Sequence, residues 1–468
     1  MVNGTVVTAT MILRSDILIE GGRIAAIGEH IDRTGVAAEQ IIDAGGCYVM
    51  PGGIDVHTHC NLSVGAERVS DGFYHASVAA AHGGTTSIVE HPGFGPDGCS
   101  LTFQTDLYRK QAAPEMVIDY GFHSVMQHVD DNILSSMEGL VKGGIPTVKV
   151  YFTYSGRLDD GEIIRVLKAS SKAGGLTAFH AENHAIINSL NETLGRTARV
   201  ADPAIYPLSR PDFCEAEAIH RLIALARAAG DVPIYIVHLS TASGLEVIRA
   251  ARKEGFPVYV ETCPQYLVLT DSCYRDSVDR KGLQYIMAPP LRSQQDCEAL
   301  WEGLADGSID VVATDHCSFS FEQKYSKGRD NVFAAPSGIP GIETRVPVLF
   351  SEGVLKKRID LNRFVELIAT NPARIMGLSA KGDLAVGVDA DLLILDPEEE
   401  KIVTTKTLHQ KVDYTPFSGM RVRGWPRTVL LRGEVIVHRG ILTAFAGCGK
   451  YISRTLSSPP QKKHEIQE

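Results

Sequence analysis

Between residues 146 and 314 the chain repeats one pattern. Short apolar runs alternate with longer stretches whose apolar residues recur every three or four positions. Residues 146–152 read as a strand. Asp159 or Asp160 caps a helix that runs to about Ala173 and stops at Gly174-Gly175. A strand follows over 176–180. Residues 212–229 then carry Ala216, Ile219, Leu222, Ile223, Leu225 and Ala226 at helical spacing. The series continues with a strand over 233–238, a helix over 243–254, a strand over 256–262, a helix over 297–304 and a strand over 309–314. Such a rhythm predicts a parallel sheet. A closed (β/α)8 TIM-like barrel fits the length of 51–379. An open doubly wound sheet is the alternative, but no GxGxxG follows the first strand.

The two ends have a different texture. Residues 17–28 form two short β runs around Gly21-Gly22, and 428–437 repeat the signal around Gly433. Isolated hairpins are only marginally stable, so 1–50 and 380–448 are expected to combine into one small β-rich domain, a β-sandwich. Residues 449–468 are polar, with Pro459-Pro460 and Lys462-Lys463, and read as a tail, either disordered or laid on a partner subunit.

Composition narrows the function classes. The chain has 468 residues, more than one core usually serves, which fits a large domain with a smaller one. No apolar run approaches the ~18–20 residues that span a bilayer, and no basic-then-apolar leader opens the chain. A formal net charge of −10 disfavours nucleic acid as a partner. Nine cysteines, an odd number with no C-x-x-C pair, predict free thiols in a reducing, cytoplasmic compartment.

Candidate chemistry gathers at strand ends. In Ile54-Asp55-Val56-His57-Thr58-His59, alternation along a strand turns His57 and His59 to one side, where two neutral imidazoles can bind a divalent metal. Lys149, His180, His238 and Asp315 sit at or near the ends of later strands, where barrel enzymes carry their chemistry. Each has a plainer reading. His180 and His238 serve equally as satisfied core residues, Asp315 as a helix cap, and Lys149 as a lysine snorkelling to the barrel mouth. An amine buried beside dications would lose its proton, add carbon dioxide and become a bridging carbamate.

The stretches PGGIDVHTH, VKVYFTY, FHAEN, YIVHLS, VETCPQYL, MAPPLR, VVATDHCSF and SGIPGIETR carry a resemblance. The chain resembles the cyclic amidohydrolases of the dihydropyrimidinase and hydantoinase group, within the amidohydrolase superfamily. SRPDFCEAEAI and VVATDHCSF point to its bacterial phenylhydantoinase-like members. The resemblance implies two divalent metal ions, usually zinc. It implies His57, His59 and Asp315 as ligands of one ion, His180 and His238 as ligands of the other, and Lys149 as a carboxylated bridge. Asp315 is then also the proton shuttle, and Tyr154 polarises the substrate carbonyl. A small cyclic ureide or imide is the implied substrate, opened to an N-carbamoyl amino acid by an enzyme that is a dimer or tetramer.

Two positions depart from the group. Ala288 stands where its members commonly have serine, and Ser337 where they commonly have asparagine, both in segments that hold the ureide through main-chain groups. With Tyr154, and with Phe94 at the barrel mouth, these are the substrate-binding candidates. Asn61 replaces the arginine of the dihydroorotase HxHxR pattern, which favours a neutral ring. An allantoinase-like enzyme, a non-catalytic scaffold and a mononuclear deaminase are the competing readings.

Overall fold

The computed structural model describes residues 1–32, 35–276 and 278–457. Eight parallel strands run through residues 51–379. They are β1 (Gly53–Thr58), β2 (Thr85–Glu90), β3 (Asp119–Phe122, continued by Ser124–Val125), β4 (Thr147–Tyr151), β5 (Leu176–His180), β6 (Ile234–Ile236), β7 (Val258–Thr262) and β8 (Val311–Val312). Parallel pairing links β1 to β3 and β3 through β8. A parallel bridge from Thr58 to His316 returns the last strand to the first, and the Asp315 N–H donates to the His57 carbonyl at 2.9 Å. The sheet is therefore closed, as the barrel reading expected, and the open doubly wound alternative is set aside. Several strands are shorter than their apolar runs, β8 most of all, because the chain leaves the ladder where functional side chains begin.

Helices pack outside, and their ends follow local chemistry. The helix Asp160–Ala173 is entered through a capping box between Asp159 and Glu162, and ends at Gly174 with φ 77°. Buried Ile163, Val166 and Leu167 form its inner stripe. Arg345, fully buried, donates to the carbonyls of Ile54 and Val312 and to Thr85 Oγ1, each at 3.0 Å. It thereby pins β1, β2 and β8 together.

The chain ends build a seven-stranded sheet from Ile12–Arg14, Thr5–Val7, Tyr48–Pro51, Leu392–Ile402, Arg421–Leu431, Glu434–His438 and Ile441–Leu442. The hairpin Asp16–Glu20/Arg23–Gly28 supplies a second layer, burying Ile17 and Ile24 against Val49, Leu392 and Ile394. Gly21 and Gly22 have φ of 57° and 80°, which the tight hairpin requires. Lys381 ties this sheet to the barrel: its Nζ lies 2.5 Å from Asp391, 2.9 Å from Asp119 on β3 and 3.2 Å from Asp389.

The start of the polar tail, expected to be disordered or laid on a partner subunit, instead packs on its own barrel. Residues 450–454 run along β3 of their own chain, with Ile452 N–H donating to the Tyr120 carbonyl at 2.7 Å. Arg454 is fully buried and donates to the Met376 carbonyl at 3.0 Å and to Thr147 Oγ1 at 2.7 Å. Polar composition hid this because one arginine, its terminal nitrogens met by several acceptors, can enter a core. Pro459-Pro460 and Lys462-Lys463 lie outside the described residues.

Candidate active site

β1 is buried at every position, and it delivers His57 and then His59 to the C-terminal mouth of the barrel. His57 Nε2 and His59 Nε2 each lie 3.1 Å from Asp315 Oδ1. Behind them, His57 Nδ1 meets the carboxylate of Glu261 on β7, and His59 Nδ1 lies 3.1 Å from the His91 carbonyl oxygen. Both partners only accept, so each ring donates from Nδ1. A neutral ring then leaves a lone pair on Nε2. Two lone pairs and a carboxylate oxygen converge within 4.8 Å of one another. A divalent cation fits this donor set, and the Glu261 contact is the carboxylate–histidine arrangement that orients such ligands.

A second pair faces the same space. His180, the last residue of β5, presents Nδ1 2.9 Å from Nε2 of His238, which follows β6. His180 Nε2 is 2.7 Å from Glu182 Oε2, and Arg210 holds that carboxylate in turn. Burial pushes His238 well below the ordinary histidine range, with His180 and Lys149 adding to the effect. Burial also lowers His180, against the pull of Glu182. Both rings are thus neutral near pH 7, the form that binds metal.

Lys149 lies between these groups on β4 and is 2% exposed. Burial pulls its amine down to about 8, while Glu261 and Asp315 pull the other way. A neutral, nucleophilic fraction therefore exists close to neutrality. For Asp315, burial opposes ionisation, but protonated His57, His59 or Lys149 beside it would draw the carboxyl down to about 2.

Three residues here adopt left-handed backbone that side chains rarely take: Tyr154 (φ 73°), His238 (φ 40°) and Asp315 (φ 54°). Each costs of order 1–3 kcal/mol, and such strain concentrates at functional sites. It turns the three side chains inward just after their strands end.

A cavity of about 740 Å³ opens above this floor, and every candidate named from the sequence borders it. His57, His59, Lys149, His180, His238 and Asp315 form its base. Tyr154 stands at one side, its ring 5.2 Å from that of His180. Ala288 and Ser337 line the wall, and Phe94 lies at the rim, 36% exposed and edge-on to Tyr151. His91 supplies its carbonyl to His59, while its ring lies against His57 and stacks on His123, with centroids 4.3 and 3.9 Å away. Asn61 is engaged by Arg68 and Gln111.

Sequence reasoning missed the residues that hold the histidines, namely Glu261, Glu182 and Arg210. A signal existed. Glu261 ends the apolar run Val258-Tyr259-Val260, where an unpartnered carboxylate is costly.

Residues 48–436 match the family model described as the amidohydrolase family. The chain belongs to the amidohydrolase family. It is 45% identical over 459 residues to a D-phenylhydantoinase of Escherichia coli O1:K1 / APEC, with 98% of each sequence covered. Among solved structures, it is similar to dihydropyrimidinase from Brevibacillus agri NCHU1002, with TM-score 0.94 and 38% identity over 98% of this chain and 99% of that one. D-hydantoinase from Bacillus sp. AR9 gives TM-score 0.93 and 39% identity, covering 97% and 98%. The resemblance to the dihydropyrimidinase and hydantoinase group and the TIM-like fold are thereby borne out. No helix among the described residues is long and apolar enough to cross a membrane.

Proposed function

We propose that this chain hydrolyses the ring amide bond of a cyclic ureide or imide, of hydantoin or dihydropyrimidine type, to give an N-carbamoyl amino acid or related product. The observation that carries this reading is the convergence of His57 Nε2, His59 Nε2 and Asp315 Oδ1 in a cavity that also holds Lys149, His180, His238 and Tyr154. The names of the phenylhydantoinase and dihydropyrimidinase relatives support the substrate class.

His57, His59 and Asp315 would hold one divalent ion, and His180 and His238 a second. Lys149 would lie between them as a carboxylated bridge, its neutral amine adding carbon dioxide and losing a proton. Nitrogen and carboxylate donors suit zinc. Bound ions supply a water of lowered pKa and a positive field at the carbonyl oxygen. Asp315 takes the proton of the attacking water and returns it to the ring nitrogen as the C–N bond breaks. Burial raises Tyr154 far above its ordinary range, with Arg210 opposing. The phenol therefore keeps its proton and donates to the carbonyl oxygen as charge builds there. Main-chain groups beside Ala288 and Ser337 hold the ureide, and Phe94 meets the ring's exocyclic substituent.

We also assign a dimer or tetramer in the cytoplasm. Exposed apolar Ile441, on the edge strand of the small-domain sheet, and Phe445, just beyond that strand, support assembly, and the odd set of nine cysteines supports a reducing compartment.

The test is a turnover panel of dihydrouracil, hydantoin, aryl- and alkyl-hydantoins, allantoin and cyclic imides, with metal content measured on the same sample. Ring opening of a hydantoin or dihydropyrimidine by protein holding two metal ions per chain is expected. Exclusive turnover of allantoin, or metal-free protein without turnover, would overturn the reading.

A further inference from the structure

Lys324 is a buried amine in no ion pair among the described residues. It lies on the helix Phe321–Gly328 and is 0% exposed. An ammonium taken from water without a carboxylate is costly, so an apolar side chain would be the cheaper filling. Its nitrogen instead reaches two carbonyls, donating to Ile286 at 2.7 Å and to Pro336 at 2.9 Å. The Ile286 carbonyl also accepts from the Gly338 N–H at 3.0 Å. Two segments far apart in sequence are thus joined twice, once through backbone and once through Lys324.

Those segments form one wall of the active-site cavity, which Ala288, Pro336, Ser337 and Gly338 line. Ala288 offers only a methyl group. Polar recognition from that segment must come from its main chain, whose placement then matters more than its side chains. Gly338 has φ 136°, and a Cβ added there would come within 2.6 Å of Cys317. The segment is therefore fitted closely and has little room to adapt.

We propose that Lys324 is a positioning residue for the ureide: it clamps the 286–288 and 336–338 segments so that their main-chain groups face the ring at a fixed separation. Burial pulls its amine down to about 7, yet ammonium and amine alike carry N–H groups enough for two carbonyls. The proposal rests on the cyclic-ureide reading above, because the clamp matters only if a ring is held against that wall.

Lys324→Met keeps the length and removes the donors. With a hydantoin or dihydrouracil, KM should rise about tenfold or more, the size expected for losing two hydrogen bonds that act through binding. The kcat and the metal content should stay close to wild type, and Lys324→Gln, which keeps an N–H donor, should recover part of the loss. An unchanged KM, with the loss confined to kcat, metal content or melting temperature, would reduce Lys324 to a structural part and overturn the proposal. Wild-type protein gives a second readout that needs no variant. In hydrogen–deuterium exchange without ligand, peptides covering 286–288 and 336–338 should already be protected. Fast exchange that slows only when a ring binds would equally overturn the clamp. A wild-type enzyme inactive on all cyclic ureides would instead sink the substrate reading, whatever the exchange pattern.

Discussion

Glu261 accepts from His57 Nδ1, from the Tyr235 hydroxyl at 2.7 Å and from the His238 N–H at 3.2 Å. One carboxylate therefore sets the tautomer of a histidine in the first group and the backbone of one in the second. Glu261→Gln should lower metal affinity or turnover about 10–100-fold with the fold intact, as loss of such orienting partners does. Metal titration and circular dichroism check this, and wild-type affinity would remove Glu261 from the site. Lys149 matters differently, through the anion it would become. Lys149→Ala should lose at least about a hundredfold in turnover, beyond what an orienting partner costs, together with part of the metal. A short-chain carboxylic acid should restore some of both, and full activity in the untreated variant would contradict a bridging role. At this scale the ligand candidates were legible because strand alternation is a local rule, which put His57 and His59 on one side. The partners were not, because Glu261 is 204 residues from His57 and no local pattern links them.

Each element was legible where its own residues end it. Helix Asp160–Ala173 begins at the Asp159 cap and closes at Gly174, where a left-handed residue is needed. Asp159→Ala should cost about 1 kcal/mol of stability and leave turnover unchanged, since this cap does not border the cavity. Thermal or denaturant melts alongside a kinetic assay test that separation, and a lost activity would show that the helix positions the nearby Tyr154 loop. Strand limits were less legible. The apolar run over 233–238 forms a ladder only over Ile234–Ile236, because His238 turns to positive φ to aim its ring inward. Apolar content reports burial, which continues past the end of hydrogen bonding. The tail was misread for the opposite reason: its polarity concealed Arg454, whose guanidinium finds acceptors on three separate segments.

For the whole molecule, barrel closure brings β1, β4, β5, β6 and β8 to one mouth, so the proposed metal centre is also a cross-link between distant parts of the chain. Removing divalent ions with a chelator should abolish turnover and lower the melting temperature, and adding zinc back should restore both. A ligand at a hundred times its Kd stabilises the folded state by ~2.7 kcal/mol, so calorimetry should resolve the change. An identical melt before and after complete metal removal would mean that no metal bridges the strands. The sequence by itself determined the alternation of strands and helices, the hairpins at both ends and the residue types able to bind metal. These follow from side-chain periodicity, turn chemistry and donor atoms, all of which act within a few residues. Only the tertiary structure decided that the sheet closes, that Asp315 meets two histidines at 3.1 Å, and that Glu261, Glu182, Arg210 and Lys324 stand behind the site. Those outcomes depend on which surfaces exclude water together, and that is a property of the packed chain as a whole.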